Sequence, residues 1–378
     1  MIFNNFLIYR FEPLLLTVDR VGPFQNTPKT FNFTDSEGEP CNFYLLISKN
    51  GLGKTTLLDL MTILMSMLEK KEMVSFSHEG LDKGEGRVQW DIRIRLKRQG
   101  HEEIIVFSIL AGALDESGLV FWDEKKLAEV SADSWHRFGY SRLKTGRLER
   151  IGQRDELVED LLSSFRIFSK NPPGKFEDDS LTMPSLIYFS AYRNIPFSKD
   201  IQRTISQPDN LGYKVAHVFD QEGEKWAESL DNLLVWFKWL DDGRFEQAQK
   251  IINDHIFRGT NKFFKGIRRH PPEAIVVNEN KEHRLDQLSS GEKSLVQLFL
   301  RIGAHMTGNT IVLIDEMDVH LHLKLQHRLL NILKDMAKKY PGLTIIATTH
   351  SVEIMQSFAF EVREKGLRKG GHLIEEDI

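Results

Sequence analysis

Three short stretches hold the residue types from which phosphate chemistry is built. The first, "SKNGLGKTT" at 48–56, places two glycines beside a lysine and two threonines, after an apolar strand and before a helix. Successive backbone N–H groups from Asn50 to Thr56 can wrap a phosphate there, helped by the positive end of the helix. Gly51 and Gly53 let the main chain come close, Lys54 reaches the β- and γ-phosphates, and the Thr55 hydroxyl suits Mg²⁺. The second stretch, "TIVLIDE" at 310–316, ends an apolar strand in two acids. Asp315 suits the same Mg²⁺, and Glu316 can line up and deprotonate a water as general base. The third, "TIIATTH" at 344–350, ends on a histidine. His350 can hydrogen-bond a γ-phosphate and sense its loss. ATP and Mg²⁺ are the cofactors implied. The catalytic set is Glu316, Lys54 and His350, and the metal set is Thr55 and Asp315.

A fourth stretch, "LSSGE" at 288–292, opens an amphipathic helix and is a second anion-holding turn. One position of the first loop departs from the phosphate-loop pattern: Ser48 stands where that pattern begins with glycine. That glycine serves the turn, so phosphate binding is expected to survive. "DEMDVHLHLKLQH" at 315–327 brings Asp318, His320, His322 and His327 close in sequence. Their spacing matches no helical zinc site, and histidines packing or capping near a helix start are the better reading.

The elements that must position these residues follow from periodicity. "FLIYRF", "KTFNF" and "NFYLLIS" read as strands, and "TTLLDLMTILMSMLEK" as a helix buried against a sheet. "VQWDIRIRLK" alternates: Val88, Trp90, Ile92, Ile94 and Leu96 face one way, and Gln89, Asp91, Arg93, Arg95 and Lys97 the other. This predicts a half-buried antiparallel strand that turns back at "RQGHEE" into "IIVFSIL", with "GLVFW" as a third strand. Residues 124–182 are charged and mixed, and "LIYFSAYR" restores a strand. "EKWAESLDNLLVWFKWL" has Trp226, Leu230, Leu233, Leu234 and Phe237 at helical spacing, and a hairpin is expected around "ENKEH". The end of the chain reads β-α-β.

At 378 residues, with 41% hydrophobic and 28% charged residues, the composition is that of a soluble globular protein. The apolar N-terminus is broken by Arg10, Glu12 and Pro13, so neither a leader nor a membrane span is expected, and the cytoplasm is the default location. One cysteine, Cys41, excludes an internal disulfide framework. A net charge of −4 confines any nucleic-acid surface to a local patch. Arg93, Arg95 and Lys97, and "RLKTGRLER" at 142–150, are the candidates.

Together, and in this order, the phosphate loop, LSSGE, the acidic strand end and the histidine strand resemble the ABC-type ATPase head. The resemblance implies an α/β P-loop NTPase with a mixed core sheet, an antiparallel β lobe and an inserted helical lobe. It divides the chain into 1–80 and 276–378 as the two parts of the ATPase core, 81–185 as the β lobe with a charged insert, and 186–275 as the helical lobe. It also implies that LSSGE acts in trans. Ser289 and Gly291 would contact the γ-phosphate held by a second copy, giving a homodimer or higher homo-oligomer around ATP, with Asp318 at the seam. "LSSGE" and "DEMDVHLH" are closer to RecF-, SMC- and OLD-like ATPases than to transporters, with Met317 in place of a usual proline. "YFSAYRNIP" is similar to a stretch ahead of the helical lobe in OLD-like proteins, where Arg193 is an active-site contact, a nucleic-acid contact or a structural ion pair. With 28 residues after His350, the chain looks like a head without its own nuclease, similar to the ATPase subunits of phage-defence systems. The implied function is ATP hydrolysis coupled to DNA handling or to control of a separate effector, a nuclease or toxin. The alternatives are a clamp that sequesters an effector without touching DNA, and a RecF-type repair ATPase.

Overall fold

The computed structural model describes residues 6–49, 51–114, 118–152, 155–169, 174–193, 195, 203–209, 211–220, 225–359 and 365–375. The strands are β1 (Phe6–Asp19), β2 (Lys29–Asn32), β3 (Phe43–Ile47), β4 (Arg87–Arg98), β5 (His101–Gly112), β6 (Ser134–Arg142), β7 (Leu148–Ile151) and β8 (Pro184–Phe189). They continue as β9 (Ala216–Phe219), β10 (Lys262–Arg269), β11 (Pro272–Asn278), β12 (Lys281–Arg284), β13 (Asn309–Ile314), β14 (Leu343–Thr349) and β15 (Lys369–Leu373). The helices are α1 (Lys54–Met67), α2 (Glu79–Asp82), α3 (Glu124–Glu129), α4 (Glu156–Phe168) and α5 (Leu230–Leu240). They end with α6 (Arg244–Ile251), α7 (Ser290–His305), α8 (Leu323–Lys339) and α9 (Val352–Ala359).

The core sheet has six strands in the order β15-β3-β14-β13-β8-β9. Each neighbouring pair in it is parallel, where the resemblance implied a mixed sheet. The reason lies in the strands themselves. β8, β13 and β14 are buried at every position, the signature of strands covered on both faces and joined by crossovers. Alternation along them divides the interior in two. Phe43, Leu45, Ile187, Phe189, Val312 and Ile314 pack on one face with α5 to α9. Tyr44, Leu46, Leu186, Tyr188, Ile311 and Leu313 pack on the other with α1, α4 and the second sheet.

That second sheet runs β2-β1-β4-β5-β6-β7. It is antiparallel except between β5 and β6, so it is the mixed one. β1 and β2 lie within 1–80, yet β1 pairs in this sheet with β4, so one sheet draws on both of the first two expected ranges. β4 is half-buried only in its second half, where Arg95 is exposed. Gln89 and Asp91, on its polar face, are as inaccessible as Val88 and Trp90 opposite. The cover is the segment "GLVFW", which is not a strand: Gln89 accepts from the N–H groups of Leu119 and Val120 and donates to Val120 O, holding that segment as a loop. The third strand is instead β6, within the stretch that composition left as charged and mixed.

The helical segment also differs from a single helix. Trp226 lies in a preceding turn and donates through Nε1 to Thr204 O, and Ser229 then caps α5 by accepting from Asn232 N–H. β10, β11 and β12 form a small antiparallel sheet, with the expected hairpin turning at Glu279 and Asn280, both at positive φ. Among the described residues no helix is long and apolar enough to cross a membrane.

Candidate active site

The phosphate loop leaves β3 and enters α1, while "TIVLIDE" is β13 with its two acids just past the strand end. Parallel pairing of β3, β14 and β13 brings these carboxyl-terminal strand ends side by side. Gly53 caps α1 at φ 97°, and a Cβ there would strike the Phe24 ring at 2.6 Å and Pro23 Cγ at 2.7 Å. Its missing side chain is therefore needed twice, by the turn and by the packing behind the loop. Gly51, at φ 82°, faces open space instead: nothing lies within 4 Å of a Cβ built on it. Asn50 lies outside the described residues.

Lys54 is buried, and its Nζ donates to Ser48 O at 3.0 Å, Ser48 Oγ at 2.8 Å and Lys49 O at 3.0 Å. Burial lowers its pKa from the ordinary lysine value, opposed by the charges of Asp315, Glu316 and Asp318. Thr55 Oγ1 donates to Asp315 Oδ2 at 2.7 Å. Thr56, the next residue, packs its methyl near Gly22. Asp315 Oδ1 accepts from Thr348 Oγ1 at 2.7 Å, and that hydroxyl accepts from the Glu316 N–H at 2.7 Å. Glu316 sits at φ 44°, a left-handed backbone that costs a non-glycine residue about 1–3 kcal/mol. Its Oε1 is 3.5 Å from His350 Nε2. Asp318 Oδ1 accepts from Thr349 Oγ1 at 2.6 Å and from the His350 N–H at 3.4 Å. Lys54, Thr55, Asp315, Glu316 and His350 thus meet in one place.

A cationic donor, the free amides that any helix presents in its first turn, and a hydroxyl paired with a carboxylate come together at the start of α1. This donor set fits a polyphosphate and its Mg²⁺. Thr348 was not singled out from sequence, although strand alternation puts it on the same face as His350.

Ser289 and Gly291 open α7. Ser289 Oγ accepts from the Glu292 N–H, while the Ser289 N–H and hydroxyl both reach Glu292 Oε2, a complete capping box. Lys262 of β10 donates to both Glu292 oxygens at 2.9 and 2.8 Å. Gly291 is buried, and a Cβ on it would meet His320 O at 2.9 Å. The partners of this turn are Glu292, Lys262 and the 320–325 segment, and those of Lys54 and Thr55 are Ser48, Lys49 and Asp315. The two anion-type turns of one chain therefore share none of these partners. The S-x-x-E spacing that makes the box was legible in the sequence.

Among the described residues Arg193 forms no ion pair, and it is not a surface contact. It is 2% exposed, donates to backbone carbonyls beneath the acidic strand end, and is pushed down to about 10 by burial. The basic patches are also partly consumed. Arg93 pairs with Glu12 and Glu39 at 2.9 Å, and Arg95 with Glu102 at 3.2 Å. Arg142 donates to Gly84 O and Arg150 pairs with Glu159, leaving Lys144 and Arg147 exposed at the tip of the β6–β7 hairpin. Of the clustered histidines, His322 stands at the start of α8 and His327 contacts Ser357 Oγ at 3.4 Å.

Residues 43–356 match the family described as "AAA domain, putative AbiEii toxin, Type IV TA system". The chain is also similar to "Retron Ec83 probable ATPase" of Escherichia coli, 22% identical over 375 residues. That match spans 83% of this chain but only 65% of the relative's length. A second relative, "Retron Vc95 probable ATPase" of Vibrio cholerae serotype O1 biovar El Tor, is 20% identical over 392 residues, spanning 87% of this chain and 69% of its own.

Proposed function

The chain belongs to this AAA-domain family, and from that premise we propose that it is a Mg²⁺-dependent ATPase whose nucleotide cycle controls a separate effector in phage defence. The observation that carries the reading is the Thr55–Asp315 bond at 2.7 Å, which joins the phosphate loop to the acidic strand end across the sheet. These two residues would hold Mg²⁺, which supplies neutralisation of phosphate charge when bound. Lys54 exchanges loop oxygens for phosphate oxygens. Glu316, held beside His350, takes a proton from the attacking water, and His350 orients toward the γ-phosphate.

On the ABC-type reading, the exposed Ser289 and the amide of Gly291 complete the site of a second copy, so that ATP joins two heads. Residues 1–80 and 276–378 then form the nucleotide-binding core, and 81–185 and 186–275 its two lobes. The exposure of Ser289 and the different hydrogen-bond partners of the two turns support an action in trans. Lys54→Ala is expected to abolish nucleotide binding. Glu316→Gln is expected to bind ATP, turn it over at least a hundredfold more slowly and accumulate a dimer. Equilibrium binding, phosphate release and light scattering measure the three. A Glu316→Gln protein whose mass and compactness do not change with saturating ATP and Mg²⁺ sinks the trans model.

The engagement of Arg93 and Arg95 in ion pairs favours a second reading, in which the head clamps an effector and does not hold DNA through this strand. DNA retention that is salt-dependent and lost on Lys144→Glu with Arg147→Glu would decide for a DNA contact at the hairpin tip.

A further inference from the structure

The guanidinium of Arg193 joins three elements that lie far apart in sequence. Nη1 donates to Ser190 O at 3.0 Å and to Asp315 O at 2.6 Å, and Nη2 donates to Glu316 O at 2.7 Å. Nε donates to Ser294 Oγ, on α7, at 2.9 Å. Bonds to carbonyl oxygens dictate where the main chain runs, and Glu316 needs that constraint. Its φ of 44° is held from the amide side by Thr348 and from the carbonyl side by Arg193. Released on one side, the turn can relax to an ordinary φ, and the carboxylate leaves its place 3.5 Å from His350 Nε2.

The helix that supplies Ser294 is the one opened by the exposed Ser289 and Ser290. It touches the same region a second time, where Gly291 packs on His320 O, two residues beyond the Asp318 that anchors Thr349 and His350. A planar guanidinium cannot tilt toward one acceptor without weakening its bonds to the others. A shift of α7 at Ser294 is therefore felt at the Asp315 and Glu316 carbonyls.

We propose that Arg193 is a positioning residue that transmits the state of α7 to Glu316, so that the serine-glycine turn governs turnover and not nucleotide affinity. This rests on the ATPase reading above. The test uses the full chain with Ser294→Ala, Ser294→Thr and Arg193→Lys. It measures ATP affinity, steady-state turnover, thermal unfolding and amide exchange across 314–320. Ser294→Ala removes only the helix-side bond. It should leave ATP affinity within about twofold and the unfolding temperature nearly unchanged, lower turnover about tenfold, and speed exchange at 315–318. Ser294→Thr, which keeps the hydroxyl, should restore turnover. Arg193→Lys has one point donor for acceptors on three elements, and should lose more turnover than Ser294→Ala at similar affinity. Wild-type turnover in Ser294→Ala, or affinity and turnover falling in equal proportion, overturns the proposal. If the wild-type chain hydrolyses no ATP, the ATPase reading falls by itself. Exchange at 315–318 then still decides the link: faster in Ser294→Ala supports it, unchanged removes it.

Discussion

Ser48 shows how one residue changes the chemistry of a loop whose outline it leaves intact. A glycine there would leave Lys54 two carbonyl partners; the serine adds a hydroxyl at 2.8 Å, so the ammonium has three oxygens for its three protons. On the proposed function, a phosphate displaces part of this set. Ser48→Gly is therefore expected to tighten ATP binding by about fivefold, corresponding to roughly 1 kcal/mol for one hydrogen bond. Titration of the purified protein with nucleotide reads this directly, and equal or weaker affinity would show that the hydroxyl does not compete. The types and order of Lys54, Thr55, Asp315, Glu316 and His350 were legible because each motif is local. The roles of Ser48, Thr348 and Arg193 were not, because each is defined by atoms from another part of the chain.

The polar face of β4 illustrates the scale of elements. Its alternation was correct, but exposure was inferred from residue type, and the 118–135 segment covers Gln89 and Asp91. Asp91 Oδ1 accepts from Gln89 Nε2 at 2.8 Å and Ser108 Oγ at 2.5 Å, and burial still pushes its pKa from 3.8 up to about 6. The native state thus binds this proton more tightly than the unfolded chain does. Its stabilising effect is complete below pH 3.8 and is lost as pH rises through about 6. Asp91→Asn should therefore be more stable than wild type at pH 8, by up to about 3 kcal/mol at roughly 1.4 kcal/mol per pH unit, with no gain at pH 3.5. Denaturant unfolding at the two pH values measures the difference, and a gain that does not depend on pH rejects the assignment. α7 shows the opposite case. Its capping box was readable as a spacing, whereas the Lys262 bond to Glu292 required β10 to fold back across the helix start.

Across the whole molecule, the two large sheets are tied by charge as well as by their shared apolar interior. Glu12 of β1 receives Arg93 of β4 and also Arg368, which leads into β15 of the core sheet. Glu39 receives both arginines too. Glu12 is 8% exposed, so water cannot replace these partners. Arg93→Glu should set a third acid beside Glu12 and Glu39 in a poorly solvated place and cost at least about 3 kcal/mol. Chemical denaturation tests this; a variant within 1 kcal/mol of wild type (about the worth of an exposed pair) would return Arg93 to the surface. Any loss of DNA retention in such a variant would be ambiguous, and Lys144 and Arg147 are the cleaner pair to change.

By itself the sequence determined the glycine-lysine loop, the acidic and histidine strand ends, the helix after the loop and the β-α-β run of β13, α8 and β14, but not the α9 and β15 that follow it. All of these rest on local spacing, which backbone geometry converts into facing side chains. Tertiary structure alone decided that the core sheet is parallel throughout, that β1 joins β4 in the second sheet, and that Arg193 lies beneath Glu316. Those outcomes depend on which surfaces are covered and by what, and covering is a contact between distant segments that no local pattern encodes. The serine-glycine turn stands between the two cases. Its sequence announced an anion-holding turn at the start of a helix, and the fold placed that helix where one arginine links it to the acid that faces the histidine.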